Sequence, residues 1–257
     1  MMNCQKYQLL SIFFVVQTII FFIVYHHCQT MKIKNDVDLK QKLNRSSFFD
    51  IGMKYKTDKV FIHHYERLYE KYLSQYRDTS VRLLEIGLGC DMVQAIGASA
   101  LTWREYLGYK AEIHILEIDI ECGEKWYSTI GKQMNISMHY GSQENIAFLE
   151  RFKSQMKKFD IIIDDGGHTM NQQRISLTFL SPLVLAGGLY IIEDLETSYR
   201  RVYGGQYLNS STTIGMIKMF VDDIQSDMPI KTIPVSARIF SFEVGDGICF
   251  LTMKAII

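Results

Sequence analysis

The amino-acid sequence predicts an α/β fold: a mostly parallel sheet with a C-terminal antiparallel hairpin, preceded by an N-terminal membrane-spanning helix. Short apolar runs alternate with helix-compatible stretches between residues 81 and 194, which is typical of right-handed crossovers and of a parallel sheet covered on both faces. Residues 237–256 instead form two strand-like runs around a Gly-Asp-Gly turn, which predicts an antiparallel pair at the sheet edge. A long apolar run near the N-terminus predicts the membrane helix.

The composition limits the classes of protein to consider. A length of 257 residues suits one α/β domain with a short appendage, and 47% hydrophobic residues exclude wholesale disorder. Lys+Arg and Asp+Glu number 28 each, so the charge gives no argument for a nucleic-acid partner. The five cysteines are odd in number, widely spaced and free of C-x-x-C, which argues against a disulfide scaffold and a zinc cluster.

The first 50 residues are predicted to be a membrane anchor and a linker. The run from Tyr7 to Tyr25 is uncharged and as a helix would rise roughly 28 Å, close to the hydrocarbon thickness of a bilayer. A cleaved signal peptide is the alternative, but no small-x-small site follows the run; a buried core helix is a third interpretation. We therefore expect a single-pass anchor over 1–25, a polar, basic linker over 26–50 and a globular domain over 51–257.

The side of the membrane stays open. Lys6 alone precedes the apolar run, whereas five basic residues follow it before residue 46, which favours a cytosolic domain. The N-x-S/T triplets that begin at Asn44, Asn135 and Asn209 would instead be glycosylation acceptors in a luminal domain. The oligomeric state also stays open, and a homo-oligomer is compatible with the pattern.

Five apolar runs are the predicted parallel strands, in order VRLLEIGLG, AEIHILEID, ISMHYG, FDIIIDD and GGLYIIED. Helices are predicted for HHYERLYEKYLSQY before them and for ENIAFLERFKSQMKK and NQQRISLTFLSPLVL between them. In such sheets ligands bind beyond the carboxyl ends of the strands. The residues at those ends are acidic, polar or glycine: Glu85, Gly87, Gly89, Asp119, Ser142, Gln143, Asp164, Asp165, Glu193 and Asp194.

The turn after the first strand predicts a nucleotide-type site. Gly87 and Gly89 would let the backbone approach a ligand closely, although a tight strand-to-helix turn needs glycine for structural reasons as well. A dinucleotide fingerprint would place a third glycine at position 92, which is Met92, so binding of NAD is disfavoured.

Two acidic strand ends suggest the ligand. Asp119 can accept hydrogen bonds from both ribose hydroxyls, with Glu117 as the alternative; its distance from Gly89 implies an enlarged first crossover. Glu85 suits a ligand with a positive amino group and would repel a pyrophosphate. These features favour S-adenosylmethionine.

A second group combines acids and a histidine. Asp165 and His168 flank a Gly-Gly turn, and Glu193 and Asp194 end the next strand. Three carboxylates at one sheet edge would repel one another unless a hard divalent ion neutralised them, and oxygen ligation favours Mg²⁺, with Mn²⁺ as a substitute, over zinc. A neutral imidazole could then accept the proton of a substrate hydroxyl. The alternative is that each acid only caps a helix or a turn.

Several blocks from Tyr55 to the C-terminus carry a resemblance to a known family: YKTDK with HHY, LLEIGLG, GASALTWREYL, FDIIIDDGGH and GGLYIIEDLETSY. The chain resembles the class I S-adenosylmethionine-dependent methyltransferases, in particular the metal-dependent macrolide-sugar (mycinamicin-type) and cephalosporin-tailoring O-methyltransferases. The resemblance implies a Rossmann-like methyltransferase fold with S-adenosylmethionine and Mg²⁺ as cofactors. Two positions depart from the family pattern, because Gly167 replaces a serine and Ser142 replaces an aspartate.

The resemblance also implies a role for each matching residue. Asp165, Glu193 and Asp194 would ligate the metal, and His168 would be the catalytic base. A lid role is suggested for the segment with Thr57, Asp58, Lys59 and His63. The expected cofactor-binding residues are Glu85, Gly87, Gly89, Asp119, Ser142, Gln143 and Asp164.

The sequence thus predicts a membrane-anchored, Mg²⁺-dependent O-methyltransferase that acts on a hydroxyl of a sugar, glycoside or related small molecule. Residues 200–230 are expected to help form the acceptor pocket. Two alternatives stay open: a methyltransferase-like binding or scaffold protein without turnover, and a metal-free N-methyltransferase. The acceptor itself is not encoded in any recognisable motif.

Overall fold

The computed structural model describes residues 22–27, 29–32, 45–92 and 95–254. The chain divides into two units, Met1–Ser46 and Ser47–Ile257. In the first unit, residues 22–27 and 29–32 are helical. No helix in the described part of the chain is both long and apolar enough to cross a bilayer. This finding contradicts the predicted single-pass membrane localisation; residues 7–21 of the predicted span lie outside the described residues.

The second unit is built on a seven-stranded sheet with the order β3-β2-β1-β4-β5-β7-β6. Strands β1 to β5 pair in parallel, whereas β7 pairs antiparallel with both β5 and β6. The prediction of a mostly parallel sheet with a C-terminal antiparallel pair is therefore confirmed. The strands are β1 Arg82–Ile86, β2 Glu112–Glu117, β3 Ile136–Tyr140, β4 Phe159–Asp164, β5 Val184–Ile192, β6 Ile239–Val244 and β7 Cys249–Met253.

Helices cover both faces of this sheet. In β4, Phe159, Ile161, Ile162 and Ile163 are all fully buried, as expected for a central strand with helices on either side. Short 3-10 helices span Ser74–Tyr76, Ser181–Leu183, Leu195–Tyr199, Arg201–Tyr203 and Pro234–Arg238, and a π-helical turn spans Tyr127–Gly131. The α-helices are α1 Phe48–Tyr55, α2 Asp58–Phe61, α3 Glu66–Leu73, α4 Ala98–Leu107, α5 Ile120–Trp126, α6 Ile146–Gln155, α7 Met170–Leu180 and α8 Thr213–Gln225.

An aromatic cluster fixes the segment before β1 against one face of the sheet. The ring of Phe48 in α1 lies 5.0 Å from that of Tyr69 in α3 and 5.2 Å from that of Trp103 in α4. All three side chains are completely buried, and burial of an aromatic side chain stabilises a fold by roughly 1.5–3 kcal/mol. This packing holds α2 and its polar side chains over the carboxyl edge of the sheet.

Three helices begin at that same edge because polar caps start them there. Asp119 accepts a hydrogen bond from the backbone N–H of Cys122 at 3.0 Å, and Asn145 accepts one from Phe148 at 3.0 Å. Thr169 and Gln172 form a reciprocal capping box at the start of α7. The loops after β2, β3 and β4 are thereby anchored next to one another.

One disulfide joins two of these loops. Cys90 follows the glycine turn after β1, and it is bonded to Cys122 in the first turn of α5. The cysteine spacing did not predict this pair, because the two residues are 32 positions apart and meet only when β1 and β2 pair. Among the described cysteines, Cys249 is free and buried.

Candidate functional site

A cavity of about 590 Å³ lies at the carboxyl edge of the sheet. Thr57 and Asp58 line it from the segment before β1. Three of the predicted site residues, Glu85, Asp164 and Glu193, lie behind the cavity wall and are at most 1% exposed. The predicted residues that line the cavity are Gly87, Gly89, Asp119, Ser142, Gln143, Asp165, His168 and Asp194.

The glycine turn brings the first and fourth strands into close contact. Gly87 has φ +99°, and a Cβ atom there would lie 2.2 Å from the backbone oxygen of Asp165. Only glycine combines this backbone conformation with this separation. The turn is fixed at its base, since the N–H of Gly87 donates to the carbonyl of Leu116 at 2.8 Å.

The two acidic side chains at the end of β2 have different surroundings. The Glu117 carboxylate accepts hydrogen bonds from the N–H groups of Leu88 at 2.9 Å and of Ile118 and Asp119 at 2.8 Å. Glu117 is thus used in joining two backbone loops. Asp119 is exposed at the cavity, and its Oδ1 caps α5. Asp119 is therefore better placed than Glu117 to accept hydrogen bonds from the hydroxyls of a ribose.

Asp164 supports the cavity wall from behind. Gln143 Nε2 donates to Asp164 Oδ1 at 2.8 Å, and the N–H of Gly167 donates to Gln143 Oε1 at 2.7 Å. Tyr190 and Ser176 also donate hydrogen bonds to the Asp164 carboxylate. Burial raises the pKa of Asp164 to about 6, although these donors oppose the rise. Asp164 thereby holds Gln143, which does line the cavity.

A buried lysine joins three carboxylates beneath the cavity. Lys59 is fully buried, and its ammonium donates to Glu193 Oε1 at 2.8 Å and to Glu193 Oε2 at 2.9 Å. It also donates to Asp165 and lies 3.4 Å from Glu85 Oε1. Tyr69 donates a further hydrogen bond to Glu193.

The charges of this group shift one another's pKa. Burial raises the pKa of Glu193, and the neighbouring Asp165 adds to the rise while the Lys59 ammonium opposes it. Burial alone would lower the pKa of Lys59, but the surrounding carboxylates outweigh it and hold that pKa well above the usual range. The lysine is therefore a charged residue at neutral pH, and it neutralises part of the buried negative charge.

Asp165, His168 and Asp194 form a cluster at the cavity surface. Each of them offers one ligand atom, and these atoms lie within 4.8 Å of one another. His168 Nε2 is 3.2 Å from Asp194 Oδ2, and Tyr65 donates to Asp194 Oδ1 at 3.2 Å. His63 Nδ1 approaches the same carboxylate to 3.6 Å.

This donor set fits a divalent cation. The two carboxylates at these separations can reach a common ion, with the imidazole beside it, and oxygen ligands favour Mg²⁺ or Mn²⁺. The structure brings together two of the three predicted carboxylate ligands, Asp165 and Asp194. It directs the third, Glu193, toward Lys59 and Tyr69 instead. Whether Glu193 ligates an ion therefore stays a prediction.

Gly167, one of the two positions at which the chain departs from the family pattern, is tightly packed. A Cβ atom on Gly167 would lie 2.2 Å from Oε1 and 2.3 Å from Nε2 of Gln172. Because Gln172 is half of the capping box of α7, a serine at position 167 would have to displace that amide. With glycine at position 167, the neighbouring His168 still belongs to the cluster.

Sequence reasoning missed the aromatic and lysine partners of the acids. The sequence suggests a lid role for Lys59, whereas the structure buries it under the carboxylates, and it predicts no contact of Tyr65 or Tyr69 with the acids. A lysine directly before the apolar pair Val60-Phe61 is the one signal that could have indicated burial. The tyrosine contacts depend on how α3 packs, and nothing in their spacing predicts it.

Comparison with known proteins identifies the family of the chain. No family model matches the chain. The chain is 33% identical over 181 residues to mycinamicin VI 2''-O-methyltransferase of Micromonospora griseorubida, a match that covers 68% of this chain and 43% of that protein. It is 34% identical over 167 residues to the 8-demethyl-8-(2-methoxy-alpha-L-rhamnosyl)-tetracenomycin-C 3'-O-methyltransferase of Streptomyces olivaceus, covering 63% and 40%.

A solved structure shares the fold. The MycE methyltransferase of the mycinamycin biosynthetic pathway, in complex with Mg, SAH and mycinamycin VI, superimposes with a TM-score of 0.71 at 29% identity. The alignment covers 82% of this chain and 55% of that chain. The chain belongs to the class I S-adenosylmethionine-dependent methyltransferases.

This methyltransferase chain spans less than half the length of the curated relatives that it matches, 43% and 40% for the two proteins above. The Rossmann-like fold expected from the resemblance is thus confirmed for the chain. The substrates in the names of the relatives belong to those longer proteins.

Proposed function

We propose that this chain transfers the methyl group of S-adenosylmethionine to a hydroxyl of a sugar or glycoside, with a divalent cation at the active site. The observation that carries the proposal is the cluster of Asp165, His168 and Asp194 at the surface of a cavity that begins at the glycine turn. A donor pocket, a cation site and a base thereby lie side by side. Relatives that match the chain are named as sugar O-methyltransferases, which supports the same assignment.

The donor would lie against the loops after β1, β2 and β3. The backbone of Gly87 and Gly89 permits close approach, and Asp119 can accept hydrogen bonds from ribose hydroxyls. Ser142 and Gln143 line the end of the cavity where an adenine would lie. Glu85 lies behind the cavity wall, and its Oε2 accepts a hydrogen bond from Ser99, which does line the cavity.

The cation would be held by Asp165 and Asp194, with Glu193 held beneath them by Lys59. An ion bound there would lower the pKa of a coordinated hydroxyl. His168 lies on the Asp194 side of the cluster, and its Nε2 is the atom that accepts the hydroxyl proton. The acceptor oxygen bonds to the methyl carbon while the carbon–sulfur bond breaks, and the sulfur keeps the electron pair of that bond.

The acceptor would enter beside the loop that contains Tyr203, which lines the cavity together with Asp58 and His168. The same loop carries Tyr207, which is 74% exposed, and Tyr199. Exposed tyrosines suit a polar ring such as a sugar, because they offer both an aromatic face and a hydroxyl. This supports a glycoside more than a small aliphatic hydroxyl compound.

Three measurements test the proposal. Calorimetry of the purified full chain with S-adenosylhomocysteine tests the donor pocket, and absence of binding would end the proposal. Transfer of a labelled methyl group to a panel of glycosides tests the reaction. Turnover that continues undiminished in excess chelator would remove the cation from it, whereas loss of turnover with donor binding retained would support it.

The scaffold alternative makes a different prediction. A binding protein without turnover would bind S-adenosylhomocysteine but label no acceptor, with or without Mg²⁺ or Mn²⁺. A metal-free N-methyltransferase would label amines in the presence of chelator, and it would tolerate Asp194→Asn. The close approach of three ligand atoms favours the cation-dependent reaction over both.

A further inference from the structure

The Cys90–Cys122 disulfide lies in the wall of the cavity. Cys90 lines the cavity directly after Gly89, and Cys122 lies in the first turn of α5. The backbone N–H of Cys122 also donates to Asp119 Oδ1 at 3.0 Å. The disulfide therefore connects the glycine turn covalently to the helix start that presents Asp119.

Backbone hydrogen bonds also hold the described part of this wall at its base. The N–H of Leu88 donates to Glu117 Oε2 at 2.9 Å, and the chain is held again where the N–H of Gly97 donates to the carbonyl of Leu88 at 2.9 Å. Between these points, the N–H of Met92 donates locally to the carbonyl of Gly89 at 3.0 Å. The disulfide adds a covalent, long-range link to the outer part of the loop.

We propose that this disulfide is a positioning element of the donor pocket: when formed, it holds the Gly87–Gly89 backbone and Asp119 at the separation that the donor requires. The inference rests on the proposed function. When a ligand bridges two loops, the loops lose conformational entropy, and this loss weakens binding. A covalent link between the loops reduces their freedom before the ligand binds, so less entropy is lost on binding. Reduction is therefore expected to weaken donor binding without unfolding the sheet.

The redox chemistry is ordinary thiol–disulfide exchange. Formation of the bond removes one hydrogen from each thiol, and the two electrons and two protons pass to a small-molecule disulfide such as oxidised glutathione. A dithiol such as dithiothreitol reverses the reaction and is itself oxidised to a cyclic disulfide. Cys249 takes no part, because it is completely buried in β7.

The test uses the full chain in oxidised and dithiothreitol-reduced forms. Alkylation followed by mass spectrometry counts the free thiols at positions 90 and 122, and calorimetry measures the affinity for S-adenosylhomocysteine. We expect reduction to weaken binding about tenfold, equivalent to about 1.4 kcal/mol. The double variant with Cys90→Ser and Cys122→Ser should bind like the reduced chain and should not respond to dithiothreitol. The control Cys249→Ala should respond as the natural chain does.

Two results would overturn this inference and leave the proposed function intact. One is free thiols at positions 90 and 122 after treatment with oxidised glutathione. The other is equal affinity of the oxidised and reduced chains, with circular dichroism showing that both are folded. If the double variant fails to fold, the comparison of oxidised and reduced natural chain still decides. A chain that carries the disulfide but binds no S-adenosylhomocysteine would instead refute the proposed function, and this inference with it.

Discussion

His168 Nε2 lies 3.2 Å from Asp194 Oδ2, and both residues have a left-handed backbone, with φ of 56° and 55°. A residue other than glycine in this conformation costs of order 1–3 kcal/mol and persists only where its surroundings impose it. Here two such residues come from the loops after neighbouring strands and meet at one cavity. These two backbone conformations place the imidazole of His168 beside two carboxylates. That is the arrangement expected of a base next to a cation.

The first prediction concerns His168. His168→Asn should lower methyl transfer by about 10²–10⁴-fold, because general base catalysis contributes that much, and should leave the affinity for S-adenosylhomocysteine unchanged. Asn is chosen because it tolerates the left-handed backbone. His64 has φ 58° and an exposed side chain, so His64→Asn is a matched control that should keep full turnover. Equal turnover in both variants would remove His168 from the reaction.

The second prediction concerns the buried ammonium of Lys59. Lys59→Met keeps an unbranched side chain one atom shorter but leaves Glu193, Asp165 and Glu85 without their shared cation. Breaking a buried ion pair typically costs about 3–5 kcal/mol, so the free energy of unfolding in urea should fall by that order. The loss should shrink when Mg²⁺ or Mn²⁺ is added, because a divalent ion at the cluster can neutralise Asp165, one of these three carboxylates.

The matched control is Lys54→Met on the helix just before. Lys54 pairs with Glu105, but its side chain is 57% exposed, and such pairs contribute little. No measurable change is expected. Equal destabilisation by the two variants would mean that burial of the Lys59 charge has no special role.

The fold was largely predictable because its signals are local. The β4 run FDIIIDD has three consecutive isoleucines, as expected for a strand covered on both faces, and the Gly245–Gly247 turn predicts the final hairpin. The pairing of Cys90 with Cys122 was not predictable, because it depends on the register of β1 against β2 rather than on spacing along the chain.

The candidate site was predictable only in outline. Acids at the carboxyl ends of parallel strands must lie at one edge, so the meeting of Asp165 and Asp194 follows from topology. The direction of a side chain does not follow from topology. Glu193 is adjacent to Asp194, yet it points to Lys59, and that outcome depends on how the segment before β1 packs. Asp164 likewise supports Gln143 rather than lining the cavity.

The third prediction is a pH dependence of stability that comes from Asp164. Its pKa is raised from 3.8 to about 6 in the folded chain because the group is buried. A folded pKa above the unfolded value means that the stabilising contribution is present below pH 4 and is lost as the pH rises through 6. The size of the loss is about 3 kcal/mol, from the roughly two-unit shift.

Asp164→Asn tests this, because an amide mimics the protonated acid. Urea unfolding between pH 4 and pH 7 should show that the variant keeps stability that the natural chain loses. The affinity for S-adenosylhomocysteine should stay close to that of the natural chain, since Asp164 lies behind the wall. If the free energy of unfolding changed with pH by the same amount in both proteins, the pH dependence would not come from Asp164.

The last prediction separates backbone strain from close approach at the glycine turn. Gly87→Ala places a Cβ at φ +99° and 2.2 Å from the Asp165 backbone oxygen, so the loops after β1 and β4 must move apart. Gly187→Ala is the matched control, because Gly187 has φ +79° and its Cβ would meet no atom within 4 Å. The control should cost only the left-handed strain, roughly 1–2 kcal/mol, and leave the affinity for S-adenosylhomocysteine unchanged. Gly87→Ala should destabilise more and lower that affinity, because both loops line the cavity and the loop after β4 carries Asp165 and His168 of the cluster.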